Sequence, residues 1–330
     1  MKTREILIYI LSTCIALLCF ALGVLACLIC TSCTEQSFAD DFPVKETTVF
    51  IGISTNSISG IRGASESATR ATISEYEVKS AVVLVYNANK VFEKSGSLGA
   101  DHTLQLTLRE GKKYIYVIAN PGTALKNQLD ASPTYTQLGE MISTSDDYAN
   151  GNYPSQGLLM TGTVEQTIST GQKNEVTIPL NIRTARVDLY VNKGSTDVED
   201  ITISSVNFQN AHTTGYLFKT NVATATVSTN PVALIGANIT GVTTDGTLVG
   251  TQYTYPAISV SNISFQVTLK HANASIAEVY TVFLNDTNSG TAITLQQGYH
   301  YKVLITFSKD ETGTLNISGY TSKNNSFDIG

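Results

Sequence analysis

Cysteine is absent from this sequence after residue 33, and tryptophan is absent altogether. Because all five cysteines lie within the first 33 of 330 residues, disulfide bonds cannot hold the rest of the chain together. Charged residues make up only 15% of the chain, and acidic residues outnumber basic ones by 27 to 21. A nucleic-acid-binding domain needs a basic face, so this balance argues against a nucleic-acid partner.

Motifs that carry catalysis or bind cofactors are also missing. The sequence contains no P-loop, no G-x-S-x-G elbow and no G-x-G-x-x-G behind a strand. The histidines are scattered and form no zinc ligand set, at His102, His212, His271 and His300. The acidic pair Asp146-Asp147 lies in a polar stretch and is predicted to be a solvated turn. We therefore expect no catalytic residue, no metal and no cofactor, and we interpret the chain as not an enzyme.

The first 32 residues have the layout of a secretory signal peptide. Lys2 and Arg4 precede an apolar run from Ile6 to Ile29, which is broken only by small residues. The run is also long enough to cross a bilayer as a helix, so a permanent N-terminal anchor is the alternative.

A cysteine that follows small residues at the end of an apolar run resembles a bacterial lipobox, in which the thiol is acylated. Cys33 follows Thr31-Ser32 and precedes a polar, acidic stretch that suits a solvated tether. Cys27 has the better upstream residues, but processing there would leave Leu28-Ile29 directly behind the lipid. We predict Cys33 as the lipidated residue, with Cys27 as the alternative.

The remaining composition indicates an all-β protein. Serine and threonine are abundant and the 16 tyrosines outnumber the 11 phenylalanines, as suits half-buried pleated faces. Short apolar runs at regular spacing, separated by Gly, Asn and Asp, are typical of β-sandwiches. The length suggests two domains, and we place the boundary near Ile182-Arg183.

Four local patterns carry most of the structural prediction. Residues Thr47 to Ser54 form a first strand, and the nearly continuous apolar run from Val78 to Ala88 indicates a central strand covered on both faces. Leu104, Leu106 and Leu108 alternate with polar residues and are predicted to form a hairpin with Tyr114 to Ala119, through a turn at Glu110-Gly111. A single short helix is predicted from Thr136 to Ile142.

Several of these segments, taken in order, resemble the fimbrillin family of Bacteroidales, the subunits of lipoprotein-derived type V pili. The most telling are the hairpin Tyr114 to Pro121, with its Tyr-x-Tyr-Val-x-Ala-Asn-Pro pattern, and the Arg-x-x-Arg-Val crossing from Arg183 to Val187. The segments AVVLVYNA and GLLMTG and the Ser/Thr-rich linker with an arginine belong to the same resemblance.

The resemblance implies two transthyretin-like β-sandwich domains in tandem after the lipoprotein signal peptide. It also implies that a trypsin-like, arginine-specific protease removes the first strand, after which a strand from a neighbouring subunit fills the groove. We therefore divide the chain into five segments. The signal peptide is 1–32, and the lipidated tether with the first strand and the cleavable linker is 33–70. The N-terminal domain is 71–182, the C-terminal domain is 183–313, and the donor-strand segment is 314–330.

The linker contains two arginines that such a protease could use. Arg70 is flanked by small residues in a stretch too polar to pack, where proteolysis concentrates, and Arg62 is the alternative. Cutting after Arg70 would make Ala71 the new N-terminus. It would also release the strand that contains Val49, Ile51 and Ile53.

The C-terminal segment is the predicted donor strand. Leu315 alternates with Ile317, and Phe327 with Ile329, and these four side chains would fill the groove. An ordinary last strand within its own domain is the alternative.

The leading hypothesis is thus a structural pilin that supports adhesion, first at the outer membrane through its lipid and then in the surface fimbrium. Its partners would be other copies of itself, related pilus subunits, the protease, and host or bacterial surface ligands. A pilus tip or anchor subunit is a close variant. A monomeric surface lipoprotein that binds glycan or host protein is the other reading, and it predicts exposed aromatic residues on a loop such as Tyr148 to Tyr153.

Overall fold

The computed structural model of the protein describes most of the chain after the leader, in the ranges 45–55, 75–196, 198–224, 231–234, 238–257, 263–272, 275–284, 294–309 and 315–324. Cys27, Cys33, Arg62, Arg70, Ala71, Phe327 and Ile329 lie outside these residues. Within them, no helix is long and apolar enough to span a membrane.

Strands dominate the described residues, which confirms the all-β prediction. They are β1 (Glu46–Thr55), β2 (Ala81–Asn87), β3 (Phe92–Ser97), β4 (Thr103–Arg109), β5 (Gly111–Ala119), β6 (Met160–Ile168), β7 (Asn174–Ile182), β8 (Ala185–Lys193), β9 (Ile201–Gln209), β10 (Val232–Ala233), β11 (Thr247–Thr254), β12 (Ser264–His271), β13 (Glu278–Phe283), β14 (His300–Lys309) and β15 (Leu315–Asn324). Two short α-helices lie between β5 and β6: α1 (Thr123–Asp130) and α2 (Tyr135–Glu140). Two 3-10 helices of three residues follow them, at Ser145–Asp147 and Ala149–Gly151.

The first seven strands form one sheet in the order β3-β2-β5-β6-β7-β1-β4. Strands β6 and β7 are joined only at Met160–Ile182 and Thr161–Asn181, so the sheet turns a corner there. The two halves then face each other, because residues of β1, β4 and β7 share one buried cluster with residues of β2 and β5. This arrangement is a β-sandwich.

The other eight strands form two four-stranded sheets, β10-β9-β12-β13 and β11-β8-β14-β15. A second buried cluster fills the space between them, with Val187, Leu189, Phe208, Phe265 and Val303 among its members. No described strand after Ile182 joins the first sheet, so the sheets separate close to the predicted boundary. The division into two folding domains stays a prediction.

The predicted hairpin between Leu104–Leu108 and Tyr114–Ala119 is wrong. Both strands exist, but β4 pairs with β1 while β5 pairs with β2 and β6. The turn at Glu110-Gly111 carries the chain from one layer of the sandwich to the other. Alternating leucines specify that β4 buries one face, but they do not specify which strand lies beside it.

The predicted helix corresponds to α2, whereas α1 was not predicted. Helix α1 has no side-chain cap of its own at Gly122, the N-cap residue. Instead, the backbone N–H of Gly122 donates to Asp147 Oδ1 at 2.6 Å, and that of Ala124 donates to Asp146 Oδ2 at 3.2 Å. The carboxylates of a distant loop therefore satisfy the exposed amides of this helix. The prediction of a solvated turn is wrong for Asp147, which is only 3% exposed.

Candidate functional site: the β1 slot and its surroundings

The candidate functional site is the slot that β1 occupies between β7 and β4, which we call the β1 slot. Strand β1 runs parallel to β7, from Val49 opposite Asn174 to Thr55 opposite Leu180. On its other side it runs antiparallel to β4, from Glu46 opposite Arg109 to Gly52 opposite Thr103. The strand therefore has a hydrogen-bonded neighbour along both edges.

The predicted displaced-strand residues lie together on β1. Val49 and Ile51 are fully buried and Ile53 is half-buried, whereas Phe50 between them points outward and is 41% exposed. This is the alternation that a strand with one buried face requires. The inward side chains sit in the first cluster, together with Leu106 and Leu108 of β4, Val176 and Ile178 of β7, and Ile115 and Val117 of the facing layer.

The predicted donor residues that the structure describes belong to β15. This strand pairs antiparallel with β14 over its whole length, from Leu315 opposite Lys309 to Asn324 opposite His300. It lies at the edge of its sheet and has no second strand beside it among the described residues. Leu315 and Ile317 are thus part of an edge strand of their own sheet, and their role as donors stays a prediction.

Buried charges hold the chain immediately after the linker. Glu75 Oε1 accepts a hydrogen bond from Arg186 Nη1 at 2.9 Å and another from the Tyr253 hydroxyl. Arg186, on β8, also binds Asp188 in a bidentate pair, with distances of 3.0 and 2.7 Å. Nε2 of His300, on β14, lies 3.1 Å from Asp188 Oδ2. Glu75, the first described residue after the linker, is therefore bonded directly to two strands of the second half of the chain, β8 and β11.

The two carboxyl groups of this cluster are shifted in opposite directions. Burial raises the pKa of Glu75, and the nearby Arg186 guanidinium only partly offsets it. Burial would also raise the pKa of Asp188, but hydrogen bonds from His300 and Arg186 outweigh it and place that pKa well below its usual range. Asp188 is thus the ionised partner of Arg186.

Asn120, the asparagine of the Ala-Asn-Pro motif, holds the segment that leads into β2. It is fully buried and adopts a positive φ of 56°. Its Oδ1 accepts from the backbone N–H of Lys79 at 2.8 Å, and its Nδ2 donates to the carbonyls of Glu77 and Leu158 at 2.7 and 3.0 Å. The motif residue thus fixes the chain between Glu75 and β2.

We expect replacement of Asn120 with alanine to lower the free energy of unfolding by about 2–3 kcal/mol, because several buried backbone groups would lose their partner. Urea unfolding followed by circular dichroism measures this loss. Asn127→Ala is the matched control, since Asn127 is exposed on α1 and should change stability by about 0.5 kcal/mol or less. Equal stability of the two variants would contradict this role for Asn120.

Arg183, which begins the Arg-x-x-Arg-Val crossing, is also structural. Its guanidinium is buried and donates to the carbonyl of Tyr216 from Nε at 3.2 Å and from Nη2 at 2.7 Å. Burial lowers the pKa of Arg183 to about 10. Both arginines of this motif are therefore buried. Arg183 donates to backbone carbonyl oxygens, and Arg186 binds carboxylates.

The loop from Tyr148 to Tyr153 does not display an exposed aromatic cluster. Tyr148 is only 5% exposed, and Tyr153 is half-buried and packs edge-on against Tyr253. A monomeric surface lipoprotein that binds glycan or host protein was expected to expose aromatic residues on this loop, and that expectation is wrong. No group of three or more potential metal ligands occurs among the residues that the structure describes.

Sequence reasoning missed Glu75, the bond from Asp147 to the start of α1, and the partners of Asn120. Asn120 lies within a motif that the sequence did single out, so its position was visible although its role was not. Glu75 and Arg186 are 111 positions apart, and no local pattern connects them.

Comparison with known proteins gives a consistent family and fold. The sequence model of a family described as fimbrillin-A associated anchor proteins Mfa1 and Mfa2 matches residues 53–326. The tip fimbrial protein Mfa3 from Porphyromonas gingivalis, solved with a C-terminal truncation, is 16% identical over 84% of this chain and 99% of its own, with a TM-score of 0.57. A fimbrial assembly protein from Parabacteroides distasonis is 16% identical over 85% of this chain and 99% of its own, with a TM-score of 0.56. At such identities these structures show similarity of fold alone, and no curated protein sequence matches the chain.

Proposed function

Because the chain belongs to the family of fimbrillin-A associated anchor proteins Mfa1 and Mfa2, we propose that it is a fimbrial subunit that joins its neighbours by strand exchange at the β1 slot. Its family and its structural neighbours are fimbrial and adhesion proteins. The proposal adds a mechanism of assembly to that general role.

The observation that carries the proposal is the placement of β1. This strand is hydrogen-bonded on both sides and has two fully buried side chains. Its removal would expose one edge of β7, one edge of β4 and the apolar side chains of the first cluster beneath it. Unpaired edges of this kind are templates for a strand from another chain. Residues 56–80 separate β1 from β2 along the sequence, and both Arg62 and Arg70 lie in that interval.

In the proposed sequence of events, the precursor is acylated at Cys33 or Cys27 and reaches the outer membrane with β1 in its slot. An arginine-specific protease then cuts after Arg70, or after Arg62, and β1 leaves with the lipid. The C-terminal segment of a neighbouring subunit, with Leu315, Ile317, Phe327 and Ile329, fills the slot. The anchored C-terminal side of the cut, from Glu75 onward, supports this order, because β2 need not move when β1 leaves.

An anchor subunit is the second candidate, and the family description supports it directly. An anchor would retain both β1 and its lipid, so its β1 slot would stay filled and it would join a neighbour only by donating a strand. The N-terminal residue of the surface protein separates the two candidates: a free Ala71 indicates a stalk subunit, and an acylated Cys33 indicates an anchor.

The assembly experiment uses the full chain treated with an arginine-specific protease. Cut protein is expected to form SDS-resistant ladders, whereas cut protein that lacks residues 314–330 is expected to stay monomeric. A chain that lacks only residues 325–330 is the matched control. It measures how much Phe327 and Ile329 contribute to ladder formation. Ladders that persist without residues 314–330 would contradict the C-terminal donor, and absence of ladders from the cut full chain would contradict strand exchange.

A further inference from the structure

Among the strands that the structure describes, β4 pairs with β1 alone. It ends the sheet order, and its ladder runs to β1 along a single edge. If β1 left the slot, β4 would keep no backbone ladder to any described strand. The slot needs β4 as a fixed wall, so other contacts have to hold it.

Side chains of the neighbouring strand β3 cover the outer edge of β4. The backbone N–H of Arg109 donates to Glu93 Oε1 at 2.9 Å. Lys94 Nζ donates to the carbonyl oxygen of Thr107 at 3.3 Å. One carboxylate and one ammonium group thus satisfy backbone groups on the side of β4 that faces away from β1.

A β-bulge gives Glu93 this position. In the ladder between β2 and β3, Val85 pairs with Lys94 and Tyr86 pairs with Phe92, so Glu93 is the extra residue. A bulge turns the side chain of the extra residue away from the regular alternation. Glu93 is therefore free to reach across from one layer of the sandwich to the other.

A buried lysine fixes the Glu93 carboxylate from the opposite side. Lys113 Nζ lies 2.6 Å from Glu93 Oε2, and the two side chains are 3% and 12% exposed. Lys113 points into the sandwich on the same face of β5 as Ile115 and Val117. Because a buried ammonium group needs its counter-ion, this pair holds Glu93 in place through a residue of β5 and not through β1.

We infer that Glu93 is a positioning residue that holds β4 as the far wall of the β1 slot when β1 is absent. The same contacts close the outer edge of β4, so an incoming strand of a second copy can pair only with the inner edge. The inference rests on the proposed function, since it concerns the protein after β1 has left.

The test measures strand binding to the emptied slot. The full chain is cut in the linker, and the released segment is removed by size exclusion in mild denaturant. A fluorescent peptide that spans residues 45–56 is then titrated into the remaining protein, and its Kd is measured by anisotropy. Hydrogen exchange of the β4 amides, residues 103–109, is followed in the cut and uncut proteins.

Glu93→Gln is expected to weaken peptide binding about tenfold. The variant loses the carboxylate that accepts from the backbone N–H of Arg109 and pairs with the ammonium group of Lys113. Glu165→Gln is the matched control, since Glu165 pairs with the adjacent Lys112 at an exposed position and should leave the Kd unchanged. Faster exchange of β4 in Glu93→Gln is expected in the cut protein only, because β1 holds β4 in the uncut one. A stability effect unrelated to β4 would instead appear in both.

Lys94→Met keeps the inference testable if Glu93→Gln does not fold, because Lys94 is exposed and its loss leaves no buried charge. It is expected to weaken binding about threefold. If the wild-type cut protein binds the peptide and neither variant weakens it, the role of Glu93 is overturned while the slot stands. If the wild-type cut protein does not bind the peptide, the proposed strand exchange fails as well.

Discussion

Replacing Arg186 with methionine is expected to lower the free energy of unfolding by about 3–5 kcal/mol, because it leaves the buried Asp188 carboxylate without the guanidinium and removes a hydrogen bond to the buried Glu75. Glu75 and Asp188 are 2% and 1% exposed, and Arg186 bonds to both. Water cannot take over the role of the guanidinium at such sites without local opening. Urea unfolding at pH 7 measures the loss.

Two further variants separate the charge effect from loss of packing. Arg109→Met removes an exposed arginine and should change stability by about 0.5 kcal/mol or less. Removing the carboxylates together with Arg186, as Glu75→Gln, Arg186→Met and Asp188→Asn in one chain, should recover part of the loss, because no unpaired charge then remains. A triple variant no more stable than Arg186→Met would contradict the electrostatic explanation.

Replacing Ile51 with alanine is expected to lower the free energy of unfolding by about 2–5 kcal/mol. Ile51 is fully buried in β1, opposite Leu104 of β4 and Val176 of β7. The shorter side chain would leave a cavity in the first cluster and remove part of the apolar contact that holds β1. Thermal and urea unfolding of the uncut protein measure the change.

Phe50→Ala is the matched control for Ile51→Ala, because it removes a larger side chain from the adjacent position of the same strand. Phe50 is 41% exposed on the outer face, so we expect a loss of about 0.5 kcal/mol. A larger loss for Phe50→Ala than for Ile51→Ala would mean that β1 is held by its outer face, and the slot as described would be wrong.

Strand β1 shows what a local sequence pattern can predict, namely where a strand lies and which of its side chains point inward. The apolar alternation predicts a strand from Thr47 to Ser54, and the structure has β1 from Glu46 to Thr55 with the predicted residues inward. Strand β2 likewise lies within the predicted run from Val78 to Ala88 and is buried on both faces. Side-chain direction repeats every two residues in a strand, so the sequence alone carries this information.

Choice of partner strand is where the sequence failed. Leu104 to Leu108 and Tyr114 to Ala119 follow each other with a glycine between them, which is the local pattern of a hairpin. The sandwich instead sends them to opposite layers, because β4 pairs with a strand about 57 positions earlier in the chain. The alternation of side chains along a strand is the same whichever strand lies alongside. It therefore does not indicate which strand the partner is.

The sequence by itself thus determined the all-β class, the positions and inward faces of the main strands, and the resemblance to the fimbrillins. Only the tertiary structure decided that β1 lies between β7 and β4, that Asp147 caps α1, and that Arg186 holds Glu75. The physical reason is the range of each effect. Periodicity is set by neighbouring residues, whereas a buried charge or an unpaired strand edge finds its partner only when distant segments meet.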